Sequence, residues 1–527
     1  MSIASARAQT TPNPWLIAML MALASFMEVL DTTIANVALK YIAGGLGVSE
    51  DEASWVVTTY LVANAVIVTA TSFLVRLMGR KTFFLICLGL FTVSSVLCGF
   101  ATNLQMLLFC RILQGLGGGG MVPVAQSIIA DSFPPAKRSQ GFALFSISML
   151  VAPIIGPTLG GWLSDNWSWS WCFLINGPIG ALTIAAIVAL VPESQAARVQ
   201  RQHLRTEEEG FDWIGFTLAA TFLGALELVL DRGLVEDWFD SSFIRTAAVI
   251  CLVAFLFMIP WEIRRRHPAV DVRLLTTRQF GACFLVSLAA YAILLATTQF
   301  LPQLVQRDFG YTATLAGLML SPGGLVAMVE MFIVGQLATK FQAKYLIATG
   351  AAIVAASMYV LTSVYGGLDF WYFVRARMLL SVGLPLITLP VMAAAYHGLP
   401  PNKTDQASAL LNAGRNIAGS IGISLISNVI ARREQFHQSR LVEHTISSNI
   451  QYQGTLQHIT EYFVAKGSDY IHAQQQAIDW INQQIQTQSS LLAYSDAFWL
   501  LMLVSLAAVP LSMSLRNIKL KGSTSSR

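Results

Sequence analysis

The sequence predicts an all-α polytopic membrane protein, and three observations carry that prediction. Hydrophobic residues make up 55% of the 527 and charged residues only 12%, against about 25% charged in soluble domains. Apolar runs near the roughly 20 residues that a helix needs to cross a bilayer recur along the whole chain. A set of motifs in the first half returns in the second, the mark of an internal duplication. The net charge of +4 is spread over short loops and gives no sign of nucleic-acid binding.

Runs bounded by charge and by Gly or Pro place helices near 15–38, 53–75, 82–101, 106–130, 141–163 and 171–191. A charged stretch from Glu193 to Glu209 follows. Two helices near 212–230 and 243–262 come next, then the basic Arg264-Arg265-Arg266. Six more fall near 280–301, 314–338, 345–365, 371–396, 407–430 and 497–515. With fourteen helices and both termini in the cytoplasm, most loop cations share one side, among them Arg80, Lys81, Lys137, Arg198, Lys340 and Lys403. That is the asymmetry of the positive-inside rule.

The segment 431–496 is the one large piece outside the membrane, on the opposite side. It is Gln-rich, with Leu456, Ile459 and Phe463, and later Ile478, Ile481 and Ile485, at helical spacing. It is expected either as a helical hairpin that docks a partner or as a solvated loop resting on its own chain.

The duplication is explicit. Arg111-Ile-Leu-Gln-Gly-Leu-Gly117, with Phe133-Pro-Pro-Ala-Lys137 and Gln140-Gly-Phe-Ala-Leu144, recurs 266 positions on without a gap. There it reads Arg377-Met-Leu-Leu-Ser-Val-Gly383, Leu399-Pro-Pro-Asn-Lys403 and Gln406-Ala-Ser-Ala-Leu410. The fourth helix thus maps onto the twelfth, which two six-helix halves with two extra helices between them explain. The expected organisation is 1–191 for the first half, 192–279 for a linker with the inserted pair, and 280–527 for the second half. Parallel halves of this kind bind substrate midway through the membrane, at their interface.

Glu28 and Asp31 lie inside the first apolar run, in Phe26-Met27-Glu28-Val29-Leu30-Asp31-Thr32-Thr33-Ile34-Ala35-Asn36. A carboxylate at mid-membrane costs roughly 2.5–3.5 kcal/mol on insertion scales, and the spacing of three puts both on one helix face. Either could exchange a proton or attract a cation. Against that stand simple hydrogen bonding into helix packing for Asp31, and hydration near the surface for Glu28. Asn36, on nearly the same face, is the expected donor. Arg111 could pair with a first-helix acid. Arg375 and Arg377 begin the twelfth helix, where snorkelling to the surface is easy.

Arg415, inside the thirteenth helix, and Glu330, mid-span in the tenth, are candidate substrate or cation sites with Asn36 and Gln114. Glu227, on the inserted pair, is expected to be peripheral. In the fifth helix Gly156, Gly160 and Gly161, with Pro153 and Pro157, predict a thin, kinked element suited to close packing and gating.

No catalytic set, cofactor site or metal site competes. There is no HExxH, CxxC or Walker motif. The six cysteines lack disulfide or ligand spacing and read as core residues. Without an ATPase domain, ion gradients remain as the energy source unless a separate subunit supplies it.

Leu30-Asp31-Thr32-Thr33-Ile34-Ala35-Asn36-Val37-Ala38-Leu39, Arg111-Ile-Leu-Gln114-Gly115-Leu-Gly117 and Val151-Ala-Pro153-Ile-Ile-Gly156-Pro157-Thr-Leu-Gly160-Gly161 resemble three motifs of one family. It is the fourteen-helix drug:proton antiporter branch of the major facilitator superfamily, of the EmrB/QacA type. Trp169-Ser-Trp171-Cys-Phe173-Leu-Ile-Asn176-Gly-Pro178 and Phe211-Asp-Trp-Ile-Gly215 are similar to the same branch.

The resemblance implies the major facilitator fold and proton-coupled export of hydrophobic or amphipathic compounds across the bacterial inner membrane. It also implies a role for Asp31 in proton coupling or substrate recognition, one for Arg111 in proton transfer, and an exporter-type fifth helix; Glu28 joins the proton-coupling candidates by its place beside Asp31. Partners would be a periplasmic adaptor (EmrA-like) and an outer-membrane channel (TolC-like). A dedicated exporter of one metabolite, fatty acid or siderophore is the alternative.

One departure stands out. Between the second and third helices the family carries an Asp that helps latch the cytoplasmic side, and Arg76 occupies that place here, ahead of Gly79 and Arg80. The latch must therefore be rebuilt or weaker.

Overall fold

The computed structural model describes residues 13–133, 138–191, 212–264, 272–395, 404–446 and 448–515. The Glu193–Glu209 stretch and the loop cations Lys137, Arg198, Arg265, Arg266 and Lys403 lie outside them. All regular structure among the described residues is helical.

Local chemistry explains the first boundaries. α1 (Pro14–Leu46) opens on Asn13, whose side chain accepts from the Trp15 N–H at 3.0 Å, and closes on Gly47 at φ 66°. Ser49 and Glu52 form a reciprocal capping box at the start of α2 (Glu50–Met78). Gly79, at φ 86°, turns the chain from α2 into α3 (Arg80–Gly99), a conformation that suits glycine. α4 (Leu104–Gly118) and α5 (Met121–Ser132) form one span interrupted at Gly119 and Gly120. α6 (Arg138–Asn166) follows, then α7 (Trp171–Leu174) and α8 (Asn176–Leu190), again one span.

The inserted pair is α9 (Trp213–Arg232) and α10 (Ser242–Arg264). The second repeat comprises α11 (Arg278–Asp308), α12 (Ala313–Lys340), α13 (Ala343–Leu361), α14 (Phe370–Ala395), α15 (Thr404–Val442), α16 (Ile450–Ala465) and α17 (Tyr470–Met513). Among the described residues, twelve spans are long and apolar enough to cross a membrane. α6 and α15 pack among them and complete the expected fourteen.

α6 lies along α1, and α4 lies between α2 and α3. In the second repeat α14 packs on α12 and α13, and α17 on α13 and α15. The repeats meet along two seams, α6 with α12 and α2 with α15. Two buried apolar clusters fill the first repeat, centred on Phe84 and Phe91 and on Ile34 and Phe173. One larger cluster, with Phe280, Phe373 and Phe498, fills the second.

The segment 431–496 is helical over most of its length. Neither 425–442 nor 470–496 contains Gly or Pro, so α15 continues past its apolar portion and α17 begins early. α16 folds against α17 and buries Leu456, Ala477 and Ile481, with Ile459, Phe463, Ile478 and Ile485 packed on them. This is a helical hairpin with its own small core. Polar ties fix its base: Arg433 Nε donates to Asp496 at 2.6 Å, and Ser490 Oγ donates to Asp308 at 2.7 Å. The six cysteines are free and five of them are buried, as expected of core residues.

Candidate functional site

Asp31 and Arg111 form an ion pair inside the first repeat, with both side chains fully buried. Arg111 Nη1 donates to Asp31 Oδ2 at 2.6 Å and to Gln114 Oε1 at 2.8 Å, and its Nε donates to the Val56 carbonyl at 2.9 Å. The guanidinium lies over the Tyr60 ring, 4.3 Å from the centroid, and 5.5 Å from that of Phe173. Asp31 Oδ1 accepts from Gln114 Nε2 at 2.8 Å and from Asn176 Nδ2 at 2.9 Å. Asn176 also donates to Ser95 Oγ at 3.0 Å, and Ser95 in turn donates to the Phe173 carbonyl at 2.9 Å.

Five of the first repeat's membrane spans thus contribute to one connected polar network. In a low-dielectric setting such a network is worth most when complete and costs most when broken. Among the described residues, Arg111 Nη2 is buried without a hydrogen-bond partner, so the network retains one open donor.

Glu28 lies one turn from Asp31 on the same face, as the spacing predicts, and is 8% exposed. Its partner is Asn64 of α2, whose Nδ2 donates to Glu28 Oε1 at 3.1 Å. Among the described residues, Glu28 Oε2 is buried without a partner. Asn36 does not supply that donor, because its side chain is exposed. Eight residues at about 100° each carry it roughly 80° around the helix from Glu28.

Asn64→Ala is therefore expected to cost about 1–3 kcal/mol, the usual penalty for stranding a buried polar partner. Asn36→Ala should stay within about 0.5 kcal/mol of wild type. Thermal unfolding of the two purified variants checks both.

Glu330 and Arg415 do not join this network. Glu330, on α12, is half-buried with no hydrogen bond or ion pair among the described residues. Arg415 is 8% exposed, lies 4.8 Å from the Tyr291 centroid and donates to Asn412 Oδ1 at 3.3 Å. Arg375 reaches the surface as expected, but Arg377 does not snorkel. It is buried, with Nη1 and Nη2 each 3.3 Å from the hydroxyls of Thr297 and Thr298.

The 266-residue offset that carries Arg111 to Arg377 also carries Asp31 to Thr297. The same contact therefore exists in both repeats, with an acid in the first and a hydroxyl in the second.

Glu227 is also misplaced by sequence reasoning. It is buried, and its Oε1 accepts from Ser420 of α15 at 2.9 Å.

The fifth-helix glycines do what their spacing suggests at two of three positions. A Cβ on Gly156 would collide with the Thr33 side chain, and one on Gly160 would stand 3.2 Å from Ile34 Cα and 3.3 Å from its carbonyl oxygen. These two glycines let α6 lie directly on α1. Gly161 faces open space. The side chains of Pro153 and Pro157 lie outside the described residues, as does that of Arg76. Near Arg76, Arg80 pairs with Asp131 at the end of α5, and Lys81 Nζ donates to the Val188 carbonyl at 3.1 Å. The start of α3 is thus tied to α5 and α8 without a carboxylate at position 76.

Sequence reasoning did not single out Asn64, Ser95 or Tyr60, and it gave Asn176 only as part of a motif. The available signal was an amide within the apolar Val62-Ala63-Asn64-Ala65-Val66 and a hydroxyl pair, Ser94 and Ser95, within α3.

A duplicated helical bundle with an acid–arginine pair sealed inside its membrane region is the frame of a membrane transporter. Comparison with known proteins agrees. The profile described as Major Facilitator Superfamily matches residues 21–423, and the chain belongs to that family. It is 36% identical over 482 residues, 91% of each chain, to the multidrug export protein EmrB of Escherichia coli (strain K12). It is 34% identical over 481 residues, 90% of this chain and 91% of the relative, to the fatty acid resistance protein FarB of Neisseria gonorrhoeae. Among solved structures, a bacterial homologue of the human lysosomal transporter Spinster, inward-facing and unoccupied, shares the fold. Its TM-score is 0.57 at 16% identity, covering 97% of this chain and 100% of that one.

Proposed function

We propose that this protein is a proton-coupled antiporter that exports hydrophobic or amphipathic compounds across the bacterial inner membrane, with both termini in the cytoplasm. The observation that carries the reading is the fully buried Asp31–Arg111 pair. Proton coupling needs a carboxylate that exists in two states within the membrane. The Arg111 ion pair and the hydrogen bonds from Gln114 and Asn176 favour the Asp31 anion. Drawn away from Arg111 by a helix motion, the bare anion would cost several kcal/mol in that setting, which proton uptake removes.

Drug and proton must then favour different states, because a ligand shifts an equilibrium only by its differential affinity. Glu28, with one oxygen unpartnered, is the second acid of this path. Residues 1–191 and 280–527 act as the two moving halves, joined by 192–279. Gly156 and Gly160 supply the close α1–α6 contact within the first half, against which α1 moves. Glu330, Arg415 and Gln114 are the proposed substrate contacts, and Asn36, exposed on α1, is a weaker one.

Relatives named as multidrug export proteins support a broad substrate range. The relative named for fatty acid resistance favours a second reading, a dedicated exporter of one acidic lipid. We propose further that the α16–α17 hairpin receives a periplasmic adaptor, itself linked to an outer-membrane channel.

The test uses inside-out vesicles energised by respiration and a panel of lipophilic drugs and fatty acids, each collapse counted only where it exceeds that in vesicles carrying Asp31→Asn. Collapse of the pH gradient by several unrelated compounds is the expected result. Collapse by fatty acids alone would select the second reading. No collapse by any compound, with the adaptor co-expressed, would contradict antiport.

A further inference from the structure

The inserted pair between the halves carries more than a linker requires. α9 packs on α10, on α2 of the first repeat and on α15 of the second. Near one end of α9, polar contacts bind it to α2. Asp231 pairs with Thr58, Arg232 bonds Ser54, and the Arg232 guanidinium lies 4.6 Å from the Trp55 centroid. One turn away, Glu227 crosses to the other repeat through its bond from Ser420. A cavity of about 20 Å³ opens beside it, lined by Ala65 and Val68 of α2, Glu227 of α9 and Asn416 of α15. That space suffices for one water molecule.

We propose that Glu227 is a second proton-binding carboxyl of the transporter, seated in the α2–α15 seam, where it couples proton uptake to separation of the two repeats. The proposal rests on the antiport reading above and adds the inserted pair to it. As an anion, Glu227 accepts from Ser420 and holds α15 against α9, which is itself fixed to α2. When α15 withdraws, the carboxylate loses that donor within an apolar seam. A proton from the aqueous phase then adds to one carboxylate oxygen through the cavity, and no other bond changes. Low pH thus favours the separated seam and high pH the joined one.

The charged and titratable groups around Glu227 fit this assignment. On α9 they are Asp231 and Arg232, both engaged with α2. Among the described residues, α2 presents only Ala65 and Val68 to the cavity. α15 presents Asn416 and Ser420, while Arg415 is turned to Tyr291. On α10 the Cys251 thiol is engaged with α9, donating to the Phe222 carbonyl.

Dicyclohexylcarbodiimide reacts with protonated carboxyls in apolar surroundings, and peptide mass mapping of the purified full chain locates the adduct. A Glu227 adduct is expected whose yield falls about tenfold or more from pH 6 to pH 9. It should persist in Asp31→Asn and rise in Ser420→Ala, which keeps the carboxyl and removes its donor. In liposomes, Glu227→Gln is expected to cut drug movement driven by a pH gradient about tenfold while leaving drug binding within about twofold. Absence of the adduct, an adduct equal at both pH values, or full gradient-driven transport by Glu227→Gln would overturn the proposal. A pH-dependent adduct in a protein whose wild type shows no antiport would sustain this proton site and count against the antiport reading alone.

Discussion

Arg111→Ala is expected to be the most damaging single change in the polar network, lowering stability by about 3–5 kcal/mol. It removes the donor to Asp31 Oδ2 and the Nε bond to the Val56 carbonyl, and leaves a charged carboxylate in a site with no access to water. Gln114 and Asn176 still donate to Oδ1, but two neutral amides do not replace a guanidinium. Asp31→Asn with Arg111→Gln exchanges the ion pair for neutral amides of similar size and should recover most of the loss. Thermal unfolding of the two single variants and the double variant gives the coupling between them. Transport should be absent in all three. A double variant no more stable than Arg111→Ala would mean that the cost lies in lost packing around Tyr60 and Phe173.

Gly156→Leu and Gly160→Leu carry the next largest effects. Ile34 offers backbone, not a movable side-chain tip, to a group on Gly160, and Thr33 is held by bonds from its hydroxyl to the Val29 and Leu30 carbonyls. Neither neighbour can give way without moving α1, which carries Asp31. Overpacking of this kind costs about 1–3 kcal/mol or more, and displacement of α1 should lower transport about tenfold or more at equal expression. Gly161→Ala, which meets nothing within 4 Å, serves as the control and should match wild type. Initial rates of drug efflux in cells with matched protein levels check all three.

Much of the fold was legible because the bilayer imposes one length on every span and charge marks the loops between them. Asp31, Arg111 and Gln114 were legible for a related reason, since polar groups in apolar runs are costly and stand out. Their partners were harder to see. Asn64, Asn176 and Ser95 are ordinary polar residues until α2, α3 and α8 are brought beside α1, which no periodicity within one helix reports. Asn36 failed for the complementary reason: a spacing of eight drifts off the face that a spacing of three holds. Glu227 looked peripheral because its importance depends on α9 lying between α2 and α15. In 431–496 the sequence left a helical hairpin and a solvated loop both open, and the absence of Gly and Pro from 425–442 and 470–496 allowed α15 and α17 to continue. The hairpin core used the six apolar positions whose spacing had marked them.

The central claim is that Asp31 exchanges the coupled proton. Its most direct test is drug-induced proton release from the purified protein in weakly buffered detergent solution, comparing wild type with Asp31→Asn. The account predicts a drug-dependent acidification in wild type that is absent from Asp31→Asn, although that variant still binds drug. Equal proton release from both proteins would contradict it.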